Sequence, residues 1–169
     1  MDFKQGDVVT YSTHGACTIV YVGDVEINNE KREYYVLEPC DSTPSKYYVP
    51  KNNASAVAKI KKLPSPLQLE ELLTAAGGKD DNWIENEPLR KEYYKELLAS
   101  GNCEDIVCMI RTLHHHRKKQ LSLGKKVHIC DENFIKKAEQ IISSEVAQIL
   151  NIPQEKVGEY IINKLDEQK

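Results

Sequence analysis

The chain has 169 residues, 40% of them apolar and 29% charged, with a formal net charge of −3. Those proportions lie near the average for folded domains and exclude a disordered or fibrous polypeptide. No apolar run reaches the roughly eighteen residues a membrane helix needs and no charged-then-apolar leader opens the chain, so a cytoplasmic protein is expected. The 5 cysteines are an odd set without a Cys-x-x-Cys pair, which speaks against a disulfide framework or a zinc ribbon and for reduced thiols.

The first fifty residues are β-branched and aromatic stretches broken by turn residues. Val8–Tyr11 reads as a strand, and Ser12 to Gly15 as a turn in which glycine tolerates a positive φ. Further strands are expected over Ala16–Val22, over Glu33–Leu37 after the Asn28-Asn29 turn, and over Lys46–Val49, which Pro50 ends. About four or five short strands with tight turns suggest a small SH3-like or Tudor-like barrel. So small a sheet leaves an edge open, and an open edge can pair with a strand of another protein. If Val49 points inward, alternation sends Lys46 and Tyr48 to the accessible face.

Behind this module the periodicity changes to that of helices. A boundary is expected between Asn52 and Pro64, with residues 1–53 as the β module, 54–65 as linker and 66–169 as a helical domain. Ser65 and Pro66 start the first long helix and Gly77-Gly78 stops it. Pro88 opens a second helix that ends at Ser100-Gly101, and Asn102 caps a third. The apolar residues of 131–150 recur at helical spacing, and Pro153 begins a last helix. The fold class is therefore α+β with segregated parts: a small barrel followed by a bundle of about five helices.

Charge is unevenly spread. The residues up to Asn53 are net acidic and the remainder neutral, yet 111–126 holds Arg111, Arg117, Lys118, Lys119, Lys125 and Lys126, three histidines and no carboxylate. His114-His115-His116 is not a metal site, because successive helical residues turn by about 100° and three in a row cannot converge on one ion. His128 and Cys130 lack a second ligand pair. No phosphate loop, nucleophile elbow or His-Glu-x-x-His occurs, so neither an enzyme nor a cofactor or metal protein is expected. Trp83, the sole tryptophan, lies in a loop composition, Gly77-Gly78-Lys79-Asp80-Asp81-Asn82.

Phe3 to Tyr11 with His14-Gly15, then Trp83, Arg90, Ser100-Gly101-Asn102, Ile110 to Leu113, and Lys136 through Leu150 together resemble the CarD/CdnL proteins, in order along nearly the whole chain. These are bacterial transcription factors that bind RNA polymerase and share their β module with transcription-repair coupling factor. The resemblance implies that the β module adds its edge to the RNA polymerase β subunit, and that Trp83 wedges into promoter DNA at the upstream edge of the transcription bubble. Arg90 and Lys91 open the second helix, where side chains and amide dipoles can meet a phosphate, and Arg117, Lys118, Lys125 and Lys126 resemble the family's basic end of the third helix and the loop after it. At the docking strands, Val25 and Tyr48 stand where family members carry arginines. Acids around Trp83 (Asp80, Asp81, Glu85, Glu87) replace the family's basic neighbours. The expected partners are thus the β subunit and promoter DNA held without base reading, for a monomer or an edge-swapped dimer. A rival is a protein-only assembly module that does not bind DNA, a reading the net acidity favours.

Overall fold

The computed structural model describes residues 2–167, so Met1 and the last two residues of the expected domains lie outside the described residues. The chain divides into two units, Met1–Leu63 and Pro64–Lys169. The first is an antiparallel sheet of β1 (Val8–Tyr11), β2 (Ala16–Ile27), β3 (Glu30–Pro39), β4 (Tyr47–Pro50) and β5 (Ile60–Lys62), with one short helix, α1 (Ala54–Val57). The spatial order is β4-β3-β2-β1-β5, so the expected barrel is an unclosed sheet with β4 and β5 as its ends.

β2 and β3 form a hairpin longer than the apolar run suggests, because the alternation continues through Val25 and Ile27 to the turn. Asn28 and Asn29 both take positive φ, 55° and 63°, the conformation a tight hairpin demands and asparagine tolerates. One face of the sheet buries Phe3, Val9, Cys17, Ile19, Tyr35, Leu37, Val49 and Ile60. The register places Tyr21, Val36 and Tyr48 side by side on the other face.

The segment 54–65 is not a linker over most of its length. Asn53 caps α1 by accepting from the Ala56 amide at 3.1 Å, and β5 pairs with β1 through Val9↔Lys62, Thr10↔Lys61 and Tyr11↔Ile60. Ile60 alone carries this strand into the core. Its lysine neighbours are the charged dressing that discourages an end strand from pairing further.

The second unit contains α2 (Pro66–Gly77), α3 (Glu87–Ser100), α4 (Cys103–Ser122), α5 (Ile129–Leu150) and α6 (Val157–Asp166). Ser65 and Gln68 form a reciprocal capping box at 3.2 and 2.9 Å, and Asn86 and Asn102 cap the next two helices. Gly101 and Asn151 close α3 and α5 in the left-handed region. Leu69, Leu73, Leu98, Ile106, Leu113, Ile135, Ile141 and Val146 fill the shared core. Leu37 is fully buried at the centre of the sheet unit. Leu37→Ala should lower that unit's stability by about 2–5 kcal/mol, read as faster amide exchange along β2 and β3, and unchanged exchange would contradict this core assignment.

Candidate functional site

Two places combine exposure with unusual chemistry. The first is the β4 end of the sheet, whose outer side has no strand partner among the described residues. Tyr48 is 46% exposed and Tyr21 44%. Between them Tyr34 and Val36 are buried although they lie outside the core face, and Tyr34 meets Tyr48 edge to face at 6.3 Å. Lys46, just before β4, is ion-paired to Glu38 at 3.0 Å, and the hydrogen bond to that carboxylate raises its pKa. Val25 sits farther along the hairpin opposite Arg32, beyond the point where β4 stops pairing at Tyr34↔Pro50. Alternation puts Val25, Tyr21 and Tyr48 on one face. Tyr21 was missed by sequence reasoning, though counting outward from Val25 by twos reaches it.

The second place is the α2–α3 loop carrying Trp83. Asp81 ties this loop to α4: it accepts from Arg111 Nε at 3.3 Å and Thr112 Oγ1 at 3.5 Å, and its other oxygen lies 2.6 Å from His115 Nδ1. Burial opposes ionisation of Asp81, but His115 and Arg111 outweigh it and hold the carboxyl below the usual range. Farther along the loop, Arg90 Nη1 donates to the carbonyls of Ile84 at 2.8 Å and Glu85 at 3.3 Å. Its Nε and Nη2 donate to the two carboxylate oxygens of Asp131 on α5, both at 3.0 Å. The same guanidinium lies 4.4 Å from the centre of the Trp83 ring, and His116 stacks on that ring at 3.4 Å and 10°. Trp83 is therefore a half-buried, braced side chain and not a free indole, with its N–H buried and lacking an acceptor among the described residues.

This geometry corrects one expected phosphate contact. Arg90 is only 2% exposed and its donors are spent on Asp131 and the loop, so it is a structural clamp. Lys91 is half-buried and paired with Glu87 at 2.7 Å, and Arg117 with Glu132 at 3.2 Å. Lys118, Lys125 and Lys126 are exposed, without an ion-pair partner among the described residues. Of the acids near Trp83, Asp81 is turned onto α4 and Glu87 is engaged by Lys91 and His128, which leaves Asp80 and Glu85 facing solvent. The three histidines diverge, His114 to Glu139 at 2.7 Å, His115 to Asp81 and His116 to Trp83. Asp131 and His116 escaped the sequence reading because both act on residues distant along the chain.

The chain thus joins a sheet with an end strand unpaired among the described residues to a helical unit that holds a braced tryptophan and carries exposed lysines. Residues 3–62 match the family model of the CarD-like/TRCF RID domain, and residues 71–162 match that of the CarD C-terminal domain. The chain belongs to the CarD family of RNA polymerase-interacting transcription regulators. No described helix is long and apolar enough to cross a membrane.

Arg90→Met should destabilise the helical unit by about 3–5 kcal/mol, because it strands the Asp131 carboxylate in the core, and pairing it with Asp131→Leu should recover most of the loss. Guanidinium unfolding followed by Trp83 emission reads both. Because the Asp81 carboxyl is held below its unfolded value, its contribution is complete above the ordinary carboxylate pKa and is lost as pH falls through the lowered one. In Asp81→Asn that part of the acid sensitivity should disappear from the unfolding midpoint.

Proposed function

We propose that this protein binds the RNA polymerase β subunit through the β4 edge and the Tyr21–Tyr48 face, and contacts promoter DNA at the upstream edge of the bubble through Trp83. Val25 and Lys46 flank the polymerase contact. Lys118, Lys125 and Lys126 supply phosphate contacts, with Lys91 and Arg117 able to join them by exchanging their carboxylate partners. The observation that carries the reading is the brace on Trp83. A large ring fixed by its neighbours loses little freedom when it presses on a base step, and its buried N–H leaves an apolar contact that reads no base edge.

The protein works by differential binding. Contacts made in the open complex and absent from the closed one raise the open population about tenfold for each 1.4 kcal/mol. A net charge of −3 makes the DNA contact weak alone, so tethering to polymerase must raise its local concentration. The protein is cytoplasmic and non-enzymatic in this reading, as a monomer or an edge-swapped dimer. Exposed Asp80 and Glu85 beside Trp83 favour the protein-only alternative.

Trp83→Ala should shorten open-complex lifetime on a responsive promoter several-fold while leaving capture of polymerase intact, and an unchanged lifetime would support the protein-only alternative. Tyr48→Glu should weaken polymerase capture by placing a charge on the docking face.

A further inference from the structure

Of the three consecutive histidines on α4, two face carboxylates and one faces a π surface. His116 lies on Trp83 with the closest ring separation among the described residues, nearly parallel at 10°. The indole N–H has no acceptor among the described residues, so no hydrogen bond from the ring to them keeps it in place. What holds it is contact with the core cluster, the Arg90 guanidinium and the imidazole. The loop has a separate anchor, since Asp81 also accepts from Arg111, whose charge does not change across the histidine range.

The charges around His116 decide which form of the imidazole fits. Arg90 on α3 and Lys119 on α4 oppose a positive charge there, whereas Asp131 on α5 and Glu85 in the loop favour one. Asp131 is already committed through both oxygens to Arg90, and Glu85 is exposed to screening water. Burial weighs most, against charging, and the net effect lowers the His116 pKa. A cation over the indole face is attracted to the ring, but Arg90 already fills that role, and its guanidinium repels a second positive charge on His116.

We propose that His116 is a positioning residue for Trp83: the neutral ring clamps the indole in place, and protonation releases it, so that the tryptophan's placement is acid-sensitive. The consequence at the promoter rests on the reading of Trp83 as the DNA-contacting side chain, whereas the clamp is a property of this chain alone. The sign follows from the half-burial of the imidazole against the indole and from the Arg90 guanidinium at the same ring, both of which disfavour the charged form. The clamp is intact above the ordinary histidine value of about 6.5 and is lost as pH falls through the lower folded-state value.

Because the chain has a single tryptophan, acrylamide quenching of its emission in the full-length protein reads the clamp directly. Between about pH 8 and pH 5, which bracket the histidine range, the quenching constant should rise about twofold or more, reversibly and without loss of far-ultraviolet circular dichroism. His116→Phe keeps the stack without a proton and should stay protected at both pH values. His116→Ala should be open to quencher at both, and His115→Asn should keep the transition. The proposal is overturned if the parent shows no change, if His116→Phe retains the transition, or if His115→Asn abolishes it. A fall in intensity at low pH without greater quencher access would also overturn it, since a charged histidine dims tryptophan without moving it. Open-complex lifetime separates the two levels: if the quenching results hold and Trp83→Ala leaves lifetime unchanged, the clamp stands and the promoter reading fails.

Discussion

The helical unit is organised around one buried ion pair, Arg90 with Asp131, each 2% exposed. Taking two charges out of water is costly, and an apolar pair of similar volume could serve stability as well. What an apolar pair could not do is hold three elements in register. The planar guanidinium uses two donors on Asp131 of α5 and a third on the carbonyls of Ile84 and Glu85, and offers its face to Trp83. Only arginine combines those geometries in one side chain. Its cost in desolvation is offset by a defined place for a loop that has no regular structure of its own.

The sheet unit answers a different requirement. Its core face is a small cluster, and its far face carries tyrosines that cover Tyr34 and Val36 without being covered themselves. Backbone donors and acceptors along an end strand give affinity, and side chains on the adjacent face give selectivity. In the proposed function the two units recognise by unlike physics, main-chain pairing with an aromatic face in one and a braced ring with exposed lysines in the other. Neither demands a sequence-reading helix.

Features that rest on neighbours in sequence were legible from the chain. Ser65, Asn102 and Gly101 announce the helix ends because capping is decided within about four residues. Asn28-Asn29 announces the hairpin for the same reason. Features that join distant residues were hidden. Arg90 beside Lys91 at a helix start looks like a solvated pair, and nothing near it in sequence points to Asp131, which lies 41 residues on. Ile60 among lysines looks like linker because a three-residue end strand carries too little alternation to register. The histidine run shows that three imidazoles cannot share an ion, but not that one of them lies against Trp83.

The account stands on the Trp83 loop meeting DNA at the fork while the chain is held on polymerase. Placing a photo-crosslinking amino acid at the exposed, neighbouring position Asn82 and irradiating assembled open complexes tests this most directly. The account predicts crosslinks to promoter DNA confined to the upstream edge of the bubble and lost when polymerase is omitted. Crosslinks to protein alone, or to DNA without regard to the bubble, would contradict it.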